Sequence, residues 1–289
     1  MERLEDVNDW RSYANAQRAK GRRVGLVPTM GALHAGHASL LSAAKANGDV
    51  VIATVFVNPR QFNDAADLSA YPRTPEADHA VARECGVDCL VEPTLAQMWP
   101  DYPRPTSTTV SVRAVSEVLE GADRPGHFDG VASVVAKLFS ITGPCTAYFG
   151  EKDFQQLVVV RQMVRDLAMA VDVRGCPIVR DENGLALASR NVLLSAEGRV
   201  RALALSRALR ALHVPDTASA HRRRMREVLD EAGVEIAYAE VVDPITLGAS
   251  RDDECGERRA LIAGLVEGVR LIDNAPVTIL SKESHAVGN

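Results

Sequence analysis

The sequence predicts an α/β fold, a mostly parallel sheet with helices on both faces, followed by a smaller C-terminal α+β domain. Three observations carry this. Two apolar runs, residues 24–27 (Val-Gly-Leu-Val) and 50–57 (Val-Val-Ile-Ala-Thr-Val-Phe-Val), lack polar alternation, as strands buried on both faces do. A helical segment lies between them. The alternation of strand and helix then continues to about residue 180 and stops there.

Taken in order, residues 36–46 put Leu40, Leu41 and Ala44 on one side, and Asn47-Gly48 stops that helix. With its flanking strands it makes a βαβ unit. Thr74-Pro75-Glu76 starts the next helix, with the threonine hydroxyl as cap and proline at the first helical position, and Gly86 ends it before a strand at 87–91. Val131, Val134, Val135, Leu138 and Phe139 recur at helical spacing, and Gly143-Pro144 closes that helix ahead of a strand at 146–149. Asp153 is expected to cap a helix carrying Leu157, Val160, Val164 and Leu167; Val171, Val173, Ile178 and Val179 suggest strands. Past Asn183 the texture changes to two helices (about 196–213 and 217–232) and then strands or a hairpin at 236–242 and 260–273. The expected boundary is therefore near Asn183-Gly184, giving parts 1–183 and 184–289, in keeping with a prior of about two domains for 289 residues. The basic run His221-Arg222-Arg223-Arg224 sits on the second of these helices and reads as a solvated face.

Composition narrows the function classes. The chain is 46% hydrophobic and 25% charged, as ordinary globular proteins are. Six phenylalanines, five tyrosines and two tryptophans are few for a platform that stacks single-stranded bases, so nucleic acid is disfavoured. A net charge of −5 offers no general field for polyanions, so a phosphate ligand must be held by a local cluster of cations and backbone donors. The five cysteines (Cys85, Cys89, Cys145, Cys176, Cys255) form no Cys-x-x-Cys pair, which points to a reducing compartment, with Cys85 and Cys89 read as packed thiols. The N-terminal residues are charged and the longest strongly apolar run is eight residues, so neither a secretory signal nor a membrane span is expected. A cytoplasmic location follows as the expectation.

The most informative string is Pro28-Thr29-Met30-Gly31-Ala32-Leu33-His34-Ala35-Gly36-His37, between the first buried strand and its helix. Such loops lie at the carboxyl edge of a parallel sheet, where ligands bind. Gly31 and Gly36 permit close backbone approach, and the helix start offers unpaired N–H donors to an anion. Two histidines there can donate to a nucleotide's phosphates and stabilise charge that develops as the phosphates separate. The alternatives are that one histidine caps the helix while the other packs, or a zinc site, which lacks a third ligand at suitable spacing.

Gly150-Glu151-Lys152-Asp153-Phe154-Gln155-Gln156 forms another strand-to-helix junction, where Lys152 can meet a phosphate and Gln156 can present an amide to a small polar substrate. Asn58 and Gln61, after the second strand, offer neutral donors and acceptors, or form an ordinary polar turn. Arg124 and His127 suit a small carboxylate, or belong to a capping loop. Ser189 and Arg190 can close over phosphates from the second part of the chain.

These strings together resemble the pantothenate synthetase family. The blocks are Pro-Thr-Met-Gly-Ala-Leu-His-x-Gly-His-x-Ser-Leu from Pro28, Phe-Val-Asn-Pro-x-Gln-Phe from Phe56, Tyr-Pro-Arg-Thr from Tyr71, Gly-His-Phe-x-Gly-Val from Gly126, Tyr-Phe-Gly-Glu-Lys-Asp-Phe-Gln-Gln-Leu from Tyr148, and Ser-Arg-Asn from Ser189. Weaker similarity runs through Val241-Val242-Asp243-Pro244 and Arg270-Leu271-Ile272-Asp273. The His-x-Gly-His element alone marks a wider nucleotidyltransferase superfamily; the ordered set is more specific.

The resemblance implies a Rossmann-like N-terminal domain, a homodimer, and ATP-dependent condensation of pantoate with β-alanine through a pantoyl adenylate, with Mg²⁺ accompanying ATP and the metal ligands unassigned. It implies ATP contacts from Met30 to His37, from Gly150 to Asp153 (Glu151 and Lys152 included), at Val179, and at Leu187, Ala188, Ser189 and Arg190. His37 takes the place of the family's proton donor, with His34 beside it and Lys152 and Arg190 as further catalytic candidates. Gln61 and Gln156 match pantoate-binding amides, and Asn58, Arg124 and His127 complete the substrate candidates. Two departures stand out: Leu187-Ala188-Ser189-Arg190 replaces the family's Met-Ser-Ser-Arg, and Asn191-Val192-Leu193-Leu194 replaces Asn-x-Tyr-Leu. Losing one neutral hydrogen bond costs about 0.5–1.5 kcal/mol, so attenuation rather than inactivity is expected. A nucleotidyltransferase acting on a phosphorylated acceptor and a non-catalytic nucleotide-binding regulator are the competing readings.

Overall fold

The computed structural model describes residues 1–281. Six parallel strands, β1 (Glu2–Leu4), β2 (Val24–Thr29), β3 (Val50–Val55), β4 (Cys89–Val91), β5 (Cys145–Gly150) and β6 (Val171–Cys176), form one sheet in the order β1-β4-β3-β2-β5-β6. Its strands alternate between two cores, as a pleat with period two requires. Leu26, Ile52 and Phe149 enter one core, whereas Val27, Val51, Ala53 and Tyr148 enter another.

Helices cover both faces. On the first core lie α1 (Val7–Ala19), α7 (His127–Thr142) and α8 (Phe154–Asp166); on the other lie α2 (Ala35–Ala46) and α4 (Pro75–Glu84). Short helices α3 (Ala65–Ala70), α5 (Leu95–Met98) and α6 (Glu120–Asp123) fill the connections. Leu26, Leu41 and Ile52 are almost wholly buried, each contributing about 1.5–3 kcal/mol of apolar transfer. The chain runs from β2 outward through β3 and β4, then crosses back to β5 beside β2. That reversal between β2 and β5 is the point at which open parallel sheets form a ligand crevice.

Helices α9 (Ala196–Arg210) and α10 (Ala218–Glu231) precede an antiparallel sheet of β7 (Glu235–Val242), β8 (Gly256–Val266) and β9 (Val269–Ile279). One face of this sheet (Ala239, Val241, Ala260, Ile262) packs on α9 and α10. Tyr238, Leu261 and Ala263, on the other face, join the core of the large sheet.

Several local expectations need correction. Ile178 and Val179 are not in a strand: Pro177 has no N–H to donate, and β6 ends at Cys176. Thr74 does not cap α4; its hydroxyl donates instead to Asp78 Oδ1 at 3.1 Å. Asp153 does not cap α8, because a 3₁₀ turn at Glu151–Asp153 runs into the helix and leaves that carboxylate toward the crevice. In the basic run, Arg223 and Arg224 are exposed, but His221 is buried. Arg222 bonds Glu240 Oε2 (2.6 Å) and the Ser250 carbonyl (2.7 Å), tying α10 to the sheet. Cys89 is buried, Cys85 partly so, and all five cysteines are free thiols. Among the described residues no helix is long and apolar enough to cross a membrane.

Candidate functional site

A cavity of about 670 Å³ opens at the β2/β5 crevice, within the range usual for small-molecule sites. The β2–α2 loop supplies Met30, His34, Gly36 and His37; the β5–α8 turn supplies Gly150, Lys152, Asp153 and Gln156. Asn58 and Gln61 enter after β3, Arg124 just before α7 and His127 at its first position, and Val179 with Leu187–Arg190 from the segment after β6. Gly31, Ala32, Leu33, Ala35 and Glu151 do not line the cavity.

Both histidines cap α2 and still face the ligand side. His34 Nδ1 accepts the Gly36 N–H at 3.1 Å, and His37 Nδ1 accepts the His34 N–H at 3.3 Å. An acceptor nitrogen carries no proton, so each neutral ring holds its hydrogen on Nε2, the remaining donor. Capping, posed from sequence as the alternative to ligand binding, takes only Nδ1 of each ring and leaves Nε2, so the one does not exclude the other. The ring centroids are 4.1 Å apart.

Burial lowers the pKa of His37 to about 3, with His34 adding to it, and lowers that of His34 to about 4, with Lys152 adding to it. The proton-donor role expected for His37 becomes that of a neutral Nε2–H donor in the ligand-free chain; an arriving phosphate charge would favour the protonated ring again.

Beneath this loop lies a residue the sequence reading missed. Asp78 is buried in α4 and accepts the N–H groups of Ala32 (3.0 Å) and Leu33 (2.7 Å). Gly31 has φ +81°, and a Cβ there would come within 2.8 Å of Asp78 Oδ2, so the loop's turn fits only glycine. Ala32 and Leu33 are thus held from below by Asp78, while His34 and His37 reach the cavity. In the sequence Asp78 is merely an acid in a helix's first turn.

The neutral side of the cavity is equally constrained. Asn58 is buried with its amide fully used: Oδ1 accepts from Trp99 Nε1 (2.9 Å), and Nδ2 donates to Gln61 Oε1 (3.0 Å) and the Gly130 carbonyl (3.1 Å). It orients Gln61 and has no donor left for a substrate, contrary to the expectation. Gln61 Nε2 lies 3.1 Å from Met30 Sδ. The Gln61 carbonyl takes the His127 Nδ1 proton at 2.7 Å, so His127 Nε2 is an acceptor, 3.4 Å from Arg124 Nη1. Neutral His127, with its pKa lowered by burial to about 4, offers no Nε2 proton in the ligand-free chain, whereas Arg124 beside it retains donors for a carboxylate.

Arg190 pairs with Asp67 of α3 through two contacts (3.1 and 2.9 Å) and lies over the Tyr71 ring. Asp67 takes one N–H each of Nε and Nη2, so the Nη1 end of the fork is the part a phosphate can meet without displacing Asp67. Ser189 Oγ bonds the Ala32 carbonyl at 3.3 Å, joining the closing segment to the histidine loop.

The three lowered histidine pKa values give an expected pH dependence. Folded imidazoles titrate near 3–4 and unfolded ones near 6.5, so in between the unfolded chain binds more protons and stability rises with pH. The denaturant midpoint should fall as pH drops from 7 to 5; a constant midpoint would contradict buried neutral rings.

Comparison with known proteins agrees with this architecture. The family model for pantoate–β-alanine ligases matches residues 2–276. A pantothenate synthetase from Cereibacter sphaeroides is 50% identical over 283 residues, covering 95% of this chain and 99% of its own. The crystal structure of pantothenate synthetase from Thermus thermophilus has a TM-score of 0.86 at 43% identity, covering 95% of this chain and 99% of its own. A pantoate–β-alanine ligase from Francisella tularensis, crystallised with β-γ ATP and β-alanine, has a TM-score of 0.81 at 32% identity, covering 95% and 97% respectively. By nearly full-length sequence and by fold, this chain belongs to the pantoate–β-alanine ligase family.

Proposed function

We propose that this chain joins pantoate to β-alanine, converting ATP to AMP and pyrophosphate through a pantoyl adenylate. The observation that carries the reading is that one cavity is lined both by imidazoles whose Nδ1 atoms are taken, leaving Nε2–H donors, with Lys152, and by the neutral amides of Gln61 and Gln156. A pantoate carboxylate oxygen attacks the α-phosphorus and pyrophosphate departs; the β-alanine amine then attacks the acyl carbon and AMP departs. A carboxylate is a poor electrophile until AMP becomes its leaving group, so positioning and charge stabilisation are the enzyme's main tasks. His34, His37, Lys152 and Arg190 serve the phosphates, Gln61 and Gln156 the pantoate hydroxyls and carboxylate, and Arg124 the β-alanine carboxylate.

Mg²⁺ belongs with the ATP. An ion of this kind would be held mainly by the phosphates and water, as Mg²⁺ in nucleotide sites usually is. Asp153, beside Lys152 on the cavity wall, is the carboxylate placed to assist; the ion would neutralise phosphate charge.

We infer a domain boundary near Asn183, supported by Leu185 already packing into the core around α9 and α10. A cytoplasmic homodimer completes the reading, on the family resemblance and the free thiols.

The test is a three-substrate assay. Sustained release of AMP should appear only when ATP, pantoate and β-alanine are all supplied, whereas ATP and pantoate alone should give no more than one equivalent of pyrophosphate per site. ATP turnover indifferent to pantoate would sink the proposal, and a stable nucleotidyl product would establish a transferase instead.

A further inference from the structure

We propose that Asn274, on β9, is a positioning residue for Lys152, an inference that rests on the ligase reading above. Asn274 is buried, and its Nδ2 donates to the carbonyls of both Glu151 (3.0 Å) and Lys152 (2.9 Å). Its Oδ1 accepts from Arg259 Nε at 2.7 Å, which settles which end of the amide faces the turn. Arg259 in turn meets Glu151 Oε2 at 3.2 Å and lies 4.3 Å over the Phe154 ring. A three-residue turn bearing the cavity's lysine is thus held from outside the large sheet by a strand more than 120 residues later in the chain.

The same strand reaches two more walls of the cavity. Asp273, also buried, takes Arg180 in two contacts (2.6 and 2.8 Å), and Arg180 bonds the Gly184 carbonyl, fixing the approach to Leu187–Arg190. Arg270 pairs with Glu120 (2.6 Å) and Asp123 (2.8 Å), next to Arg124. Asn274 is the member that acts directly on the backbone of a phosphate-facing side chain. A lysine is a point charge on a flexible stem, so its stem's origin governs where the charge spends its time. Displacing a reacting constellation by about 1 Å can cost on the order of 10²-fold in rate.

The decisive experiment is a double-mutant cycle on the full chain with Asn274→Asp and Lys152→Ala, read as the kcat of adenylate formation and the KM for pantoate. Asn274→Asp keeps the side chain's shape and the acceptor for Arg259, but sets a carboxylate oxygen against two carbonyls. It should lower kcat by about 30–100-fold, following the cost of misplacement above, with the pantoate KM little changed. In the Lys152→Ala background the same substitution should cost less than about threefold, because residues acting as a unit are not additive. Losses that multiply in the double variant, or a single variant with wild-type kcat, would overturn the inference. Should Asn274→Asp fail to fold by its thermal midpoint, Asn274→Ser, which retains one donor, must show a smaller loss with the same non-additivity. Wild-type protein forming no AMP from the three substrates would instead remove the underlying reading.

Discussion

Replacing His37 by alanine is expected to lower the rate of adenylate formation by about 10²–10³-fold, the usual cost of removing one fixed donor aimed at developing charge. The donor is the Nε2–H, whose direction is set because Nδ1 is taken by the His34 N–H. The substitution also breaks half of a reciprocal cap, and loss of a cap costs about 0.5–2 kcal/mol of stability. The two effects separate with His37→Gln. A glutamine at this third helical position can reach back to the N-cap N–H, as in ordinary capping boxes, but supplies no imidazole. Stability by denaturant unfolding should recover in His37→Gln while kcat stays low. Recovery of both would reduce His37 to a helix cap.

What the sequence made legible depended on how local the determinant was. The β2–α2–β3 unit reads off apolar runs and the Asn47-Gly48 stop, and the strand-to-helix loops then announce the ligand edge. The C-terminal helices and hairpin came through for the same reason. Elements with short or polar signatures did not: β1 has three residues, and α1 buries Trp10, Ala14 and Gln17 beneath an otherwise polar sequence. The candidate site was legible as a set of strings but not as a division of labour. Nothing in the spacing tells that Asn58 is consumed by Trp99 and Gly130, that the His127 proton belongs to Gln61, or that Arg190 rests on Asp67. Each is a pairing between segments distant in sequence, fixed only when the layers pack. Asp78 and Asn274 were missed for the same reason, since each serves backbone groups of another loop. Arg270-Leu271-Ile272-Asp273 did stand out as a weak resemblance; what it lacked was a partner to give it meaning.

Lys152→Ala should lower the rate of adenylate formation by about 10²–10³-fold, comparable with losing His37, since an ammonium and a fixed donor address the same developing phosphate charge. The lysine side chain is only 19% exposed and lies 3.5 Å from Asp153, so its charge acts where solvent screens it little. Arginine is not expected to substitute, because its larger planar fork does not fit a site built for a point charge. Lys152→Ala carries a second consequence that a purely structural lysine would not. Its charge is one of the causes that lower the pKa of His34 and His37, so its removal should move both upward from about 4 and about 3 toward the ordinary imidazole value. The direction follows from charge alone: without the neighbouring cation, a protonated ring is less opposed. Titration of the ring protons by NMR reads this shift independently of turnover. A variant with wild-type kcat would exclude Lys152 from the phosphate site. A large loss of kcat with unmoved histidines would place the lysine's charge away from the pair, leaving His34 and His37 governed by burial.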